Sequence, residues 1–416
     1  MQFPVNSPFR KWLLLTVAAV VALVYIAAAA RETLAAFFAT KIELASLQRA
    51  ARVDPANAEY FDRLGRYFTM VAQDPAGAVT PYLQAVALNP HSARYWFDLA
   101  NAYQVLGNSD SQTNALEHAI EADPRTPDVA WEAGNLFLVR GEDEKALREF
   151  RAVMESGSYQ SDAAMQFCWR IKPDVDALLR DVVPVHAGAY VSFLSALMAK
   201  QQTAETAKVW AALMATHEPF ERNFFFDYMK YLIAVKDVDQ AQLVWRQAAG
   251  QFSLLPYVPS ASNLMVNPDF SLDVLNGGFD WQYHKQNAVT LSLDSSEFHA
   301  GPRSLSITFH GPGIDDAGIY QIIPVQPNTK YEFTGYFKTG DIEGAGGPHF
   351  TIQDVYNTNI LYESEELKDT SFWKSDDGEF TTGPDTKLIL LRLRRLPSGN
   401  AIRGKLWIDD FRLVQK

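Results

Sequence analysis

Residues able to carry out bond-breaking chemistry are sparse in this chain. Its eight histidines are scattered, and none stands at a metal-ligand spacing from another. The single cysteine, Cys168, lies between Phe167 and Trp169, an environment for a buried and inert thiol. One cysteine also excludes an internal disulfide and a cysteine-based metal cluster. No glycine-rich phosphate loop follows a strand pattern, and no nucleophile elbow occurs. Glu363, Glu365 and Glu366 read as a solvated turn. Asp354 and Glu332 are the pair from which a glycosidase acid and base could be drawn, but nothing in the sequence sets a cleft between them. No enzyme is expected. What remains are aromatic, amide and guanidinium groups at regular spacing, whose chemistry is stacking and hydrogen bonding. Alternation places Tyr331, Phe333 and Phe337 on one side of a strand, and Tyr336 on the other with Glu332, Thr334 and Lys338. In 349–356, Phe350 and Ile352 share a side with Asp354 and Tyr356. Further on, Arg392 and Arg394 lie opposite Leu391 and Leu393.

Two kinds of element must position these groups. The chain has 416 residues, more than one ordinary domain, with a globular 48% of hydrophobic residues. Its formal charge of −12 argues against nucleic acid as a partner, since phosphate neutralisation needs clustered Lys and Arg. In 93–124, Trp96, Leu99, Ala100 and Tyr103 form one helical stripe, and Leu116, Ala119 and Ile120 form a second. The stretch 106–108 (Leu-Gly-Asn) breaks the pattern between them, and Asp123-Pro124 ends the second helix. Neither helix can bury its stripe alone, so copies must stack beside it. Pro90 and Pro124 stand 34 residues apart, and Pro55 stands 35 before Pro90.

This unit resembles the tetratricopeptide repeat. Trp96, Leu99, Ala100, Tyr103, Gly107, Leu116, Ala119 and Pro124 fall on that family's signature places; Gln112 departs where a small residue is usual. Gly134, Phe137, Gly141, Ala146 and Phe150 keep the register in the next copy. Leu64, Gly65, Phe68, Ala78, Tyr82, Ala85 and Pro90 keep it in the previous one. The resemblance implies a scaffold whose concave groove holds a protein partner. Phe97, Asn101, Trp131 and Asn135 occupy the places that line that groove, with Asn101 and Asn135 forming a ladder able to hold an extended peptide. Phe97 and Trp131 stand where the carboxylate-clamp form carries Lys, so recognition of a C-terminal carboxylate is not implied.

Ahead of the repeats, 12–30 carries no charge over 19 residues, close to the ~20 that a membrane-spanning helix needs. A cleaved signal peptide is the rival, because 27–30 offers small residues to a peptidase. An uncleaved anchor is favoured because 31–52 reads as helix continuing directly into the repeats. Arg10 and Lys11 in a short tail, 1–11, place the N-terminus in the cytoplasm and the rest outside it. Beyond the clearest repeats, 59–158, Pro173 and Pro184 cut the pattern into short helices. Two degenerate pairs follow at 189–213 and 223–248. The solenoid is therefore read as 31–250, and 251–261 as a boundary whose Leu254, Leu255 and Tyr257 pack on a neighbour.

After 262 the period changes to 2, with strands expected at 304–309, 330–339, 387–395 and 405–414 between Gly/Pro clusters. The stretches NLMVNPDF (263–270), GGFDW (277–281), HAGPRSLSITF (299–309), 318–339 and LWIDDFRL (406–413) resemble the β-sandwich carbohydrate-binding modules of the family 4, 9 and 22 type. That resemblance implies a jelly-roll sandwich over 262–416 and a glycan site built on aromatic faces. The platform expected here is Tyr336, Tyr356 and Arg392, with Trp373. It also implies a structural calcium where the first and last strands meet, for which Asp269, Asp409 and Asp410 are candidate ligands. Ser271 stands where the family commonly has an acid. Calcium is the one cofactor considered. The expected fold is multidomain α plus β: a transmembrane helix, a repeat solenoid and a terminal sandwich. The expected role is that of a single-pass scaffold of the bacterial inner membrane, its bulk extracytoplasmic, holding a protein and a polysaccharide in cell-surface polysaccharide assembly or export. The alternative is a purely protein–protein scaffold whose sandwich binds no sugar.

Overall fold

The structure, a computed structural model, describes residues 8–416 apart from Arg125, Asp369, Ser371, Leu396 and Ser398. It divides into two compact units, the first ending at Ala196 and the second running from Leu197 to Lys416.

The first unit is helical. α1 (Pro8–Ala39) contains the expected span, and from Lys11 to Ala39 it is long and apolar enough to cross a membrane. The expected direct continuation to Arg52 does not occur. The chain turns at 40–43, and α2 (Leu44–Val53) folds back so that Ala50 and Ala51 pack with Ala35 and Ala39 against Tyr60. One straight helix could not bury both stripes. Three hairpins follow: α3 (Ala58–Met70) with α4 (Pro75–Leu88), α5 (Ala93–Val105) with α6 (Ser109–Ala122), and α7 (Pro127–Val139) with α8 (Asp143–Glu155). They are the repeats read from the sequence. Asn57, Asp74 and Asn108 cap helix starts by accepting a backbone N–H, which satisfies one of the donors a helix leaves free. Gly107, at φ +71°, makes the left-handed turn between α5 and α6. Gln112 is buried, so the departure from a small residue sits inside the packing. α9 (Ser161–Ile171) and α10 (Val175–Asp181) are the short helices that Pro173 and Pro184 delimit, and α11 (Ala187–Ala199) crosses into the second unit. Cys168 is buried on α9, and burial pushes its thiol up to about 12, as an inert thiol requires.

The second unit joins α12 (Thr203–Thr216), α13 (Arg222–Ala234) and α14 (Val238–Gln251) to a β-sandwich. The sandwich strands are β1 (Gln282–Tyr283), β2 (Val289–Asp294), β3 (Ser304–Gly311), β4 (Asp316–Pro324), β5 (Lys330–Glu343), β6 (Pro348–Asp354), β7 (Ile360–Glu363), β8 (Lys374–Thr381), β9 (Leu388–Arg395) and β10 (Ile402–Gln415). One sheet has the order β1-β4-β9-β6-β7, the other β2-β3-β10-β5-β8, with antiparallel pairing in both. The inner faces meet in a core that includes Trp281, Phe333, Phe350, Leu391, Leu406 and Phe411. All four strands expected from the sequence are present.

The segment 251–261 packs as anticipated for Leu254 and Tyr257, both buried, whereas Leu255 is exposed. Tyr257 ties the helices to the sandwich. Its carbonyl accepts from Trp245 Nε1 at 3.1 Å, and its hydroxyl donates to the carbonyl of Asp273 at 2.8 Å. Phe226 of α13 lies against Gly277, and the Trp245 ring of α14 lies against Gly278 and against Phe279, 5.7 Å between centroids. The stretch read as a boundary is thus the middle of a packed junction.

Candidate binding surfaces

Of the four residues expected to line the repeat groove, Asn101 is exposed and Trp131 and Asn135 are half-buried. Phe97 is buried in the packing of α5. Trp131 stacks on Phe167 at 5.7 Å and tilts against Phe150 at 5.9 Å, which makes it part of the core between neighbouring hairpins. Asn135 Nδ2 donates to the carbonyl of Trp131 at 2.8 Å, within its own helix. One N–H of the Asn135 amide is thus held within α7, and its Oδ1 is left as an acceptor. Asn101 borders a cavity of about 310 Å³, lined also by Thr69, Met70, Tyr82, Asp98 and Val105.

The expected glycan platform is split between the two sheets of the sandwich. Tyr336 points outward from β5, as alternation required, on the sheet that also holds β10. Arg392 points outward from β9, on the other sheet. There it donates to Gln353 Oε1 at 2.6 Å and lies 3.5 Å from Asp316, while its Nε and the hydroxyl of its cross-strand neighbour Thr351 are buried without partners. Tyr356 lies beyond the end of β6, in a turn where Asp354 Oδ1 accepts from the backbone N–H of Tyr356 and Asn357. Its hydroxyl donates to the carbonyl of Ile233 at 2.8 Å, and Lys236 sits 5.2 Å over its ring. Tyr356 therefore belongs to the junction with α13. The α14 side adds an ion pair, Lys387 to Asp239 at 2.7 Å.

Tyr336 and Trp373 do come together, with a ring that sequence reasoning missed. His299, from the β2–β3 loop, stacks on Tyr336 with centroids 3.7 Å apart and planes 13° from parallel, and is 5.9 Å from Trp373. His299 Nδ1 faces Asp410 at 3.0 Å. Trp407 extends the same outer face. It pairs across β10 with Lys338 of β5 and Ser306 of β3. Lys405 and Lys338 lie 4.5 Å and 5.7 Å from its ring, and its Nε1 donates to Asp294 at 2.9 Å. Hydrogen bonds from Ser296 and then Trp407 hold the Asp294 carboxyl well below the usual range, so it stays an anion. Trp407 was legible: Leu406 and Ile408 point inward, so the residue between them must face out. His299 sits in a loop, where no periodicity applies.

Of the expected calcium ligands, Asp409 accepts backbone N–H groups with both oxygens: Oδ2 from His299 at 2.7 Å and Ala300 at 2.9 Å, and Oδ1 from Asp410. A β-bulge at 409–412 aims this carboxylate at the loop. Asp410 faces His299, and Asp269 Oδ1 accepts from Ser271. Among the described residues no three His, Cys, Asp or Glu side chains form a group that could hold a metal ion. Asp354 and Glu332 also fail to face each other. Asp354 is buried against Thr386 on one sheet, and Glu332 is exposed on the other.

Residues 262–394 match a family model described as a carbohydrate binding domain. Solved structures similar to the chain include TmCBM61 in complex with beta-1,4-galactotriose, at 20% identity over 37% of this chain and 99% of that one, with a TM-score of 0.27. The CBM22-1 xylan-binding domain from Paenibacillus barcinonensis Xyn10C is similar at 16% identity over 35% of this chain and 90% of that one, TM-score 0.25. A third, pilF of Pseudomonas aeruginosa, is similar at 14% identity over 49% of this chain and 93% of that one, TM-score 0.27. No curated protein matches the chain significantly.

Proposed function

We propose that this chain is a non-catalytic scaffold of the bacterial envelope in which the helical hairpins hold a protein partner and the sandwich holds a glycan, in cell-surface polysaccharide assembly or export. The observation that carries this reading is the match of 262–394 to a carbohydrate binding domain together with an outer sheet face on which His299, Tyr336, Trp373 and Trp407 gather. A pyranose ring has an apolar face that stacks on an aromatic one, and its hydroxyls need fixed polar partners, which Lys338, Lys405 and Asp294 supply at the rim of Trp407. α1 anchors the chain in the inner membrane, and the short basic tail sets the bulk of it outside the cytoplasm. Titration of the purified full-length chain with a panel of bacterial and plant polysaccharides tests the reading. Saturable binding of at least one polymer is expected; binding of none would leave the sandwich a structural domain.

That second outcome has its own support. The sandwich meets α13 and α14 through Phe226, Trp245, Phe279 and Tyr257, with Tyr356 and Lys387 adding polar ties. A purely protein–protein scaffold would use the sandwich to cap the last helical hairpin.

A further inference from the structure

The cavity beside Asn101 has a base that the reading above leaves without a role. Asp98, one turn before Asn101 on α5, lines it. Against Asp98 lies Asp62 of α3, which has 0% of its surface exposed. Asp62 Oδ1 and Asp98 Oδ2 are both closed off from solvent, and neither has a donor. Among the described residues the one cation bonded to Asp62 is Arg94, at 3.1 Å, and Arg94 is shared with Glu59. Asp98 has no lysine or arginine within ion-pair distance among the described residues; Arg66 and Arg94 act on it only from further away, against Glu59. From α4 the Tyr82 hydroxyl closes the other side, held by Thr69 at 3.2 Å.

Ionised carboxylates only accept hydrogen bonds, so two in contact are satisfied only when one keeps its proton and donates it to the other. Burial first, and then the charge of Asp98, raises the Asp62 carboxyl; burial raises Asp98 as well. A cation entering the cavity would replace that proton with charge-assisted hydrogen bonds. Met70, Pro75 and Val105 line the same cavity and offer apolar walls to an aliphatic stem.

We propose that this cavity receives one basic side chain, an arginine or lysine of the protein partner, with Asp98 as its acceptor, the Asn101 amide beside it and Asp62 as the buried counter-charge. This rests on the reading that the hairpins hold a protein. The test uses the full-length chain in detergent and a positional-scanning library of extended hexapeptides. Arg or Lys should be selected at one position. The best such peptide should bind at least tenfold tighter than its citrulline analogue and release up to one proton, read by calorimetry at pH 7 in buffers of different ionisation enthalpy. Asp98→Asn should abolish both the preference and the proton release. Val105→Lys, at an exposed site, should do the same to the preference by placing a cation at the mouth. Selection of peptides without any basic preference would overturn the cavity proposal and leave the groove reading standing. Retention of no peptide at all would overturn both.

Discussion

Two groups of aromatic residues in the second unit have similar composition and opposite use. Between α13, α14 and the start of the sandwich, Phe226, Trp245, Tyr257 and Phe279 close on one another, and Trp245 keeps only 2% of its surface exposed. On the outer face of the β2-β3-β10-β5-β8 sheet, Trp373 and Trp407 are half-buried, and Phe372 beside them is 78% exposed. The first group joins two elements. The second has ring faces that nothing in this unit covers fully. Composition cannot separate them; burial can. Tyr356 shows why the distinction matters: expected in one glycan platform with Tyr336, it bonds α13 instead.

Substitutions in the two groups should therefore separate stability from binding. The largest effect is expected for Trp245→Ala, which empties a buried ring site and removes the hydrogen bond to Tyr257, at a cost of about 3–5 kcal/mol in chemical denaturation. A loss below about 1 kcal/mol would mean the junction does not couple helices and sandwich. Next is a pH effect at the same junction. Asp280 is fully buried in the 277–281 turn, its Oδ2 accepts from the N–H of Leu275 at 2.7 Å, and burial pushes its carboxyl up to about 7. A carboxyl that holds its proton more tightly when folded destabilises the fold as pH rises from about 4 toward 7. Unfolding free energy should fall by about 2 kcal/mol between pH 5 and 8 from this group, and Asp280→Asn should flatten that fall. Tyr356→Phe removes one hydrogen bond and should cost about 1 kcal/mol without touching glycan binding. The smallest stability effect, within about 0.5 kcal/mol, is expected for Trp373→Ala on the outer face.

Much of the fold was legible because periodicity is a strong signal. The 34-residue spacing of Pro90 and Pro124 located the hairpins, and the change of period after 262 located the sandwich. Sites were less legible, because they depend on which sheet a strand joins. Arg392 and Tyr336 both point outward, yet from opposite faces of the sandwich, since β9 and β5 belong to different sheets. Trp131 and Asn135 occupy groove positions in the repeat pattern, but Phe167 from α9 supplies a stacking partner that no repeat signature contains. The Asp62–Asp98 contact joins residues on neighbouring hairpins, a pairing visible only once α3 and α5 lie side by side.

The central claim is that the outer sheet face, and not the junction, is the glycan surface. Affinity electrophoresis of the full-length protein in a polysaccharide that it binds tests this most directly. Trp373→Ala should lose at least tenfold in affinity with an unchanged unfolding midpoint, and Trp407→Ala should lose at least tenfold beyond the small drop in stability that follows from its lost hydrogen bond to Asp294, while Tyr356→Phe migrates like the parent. Retardation that survives both tryptophan substitutions, or is lost with Tyr356→Phe alone, would contradict it.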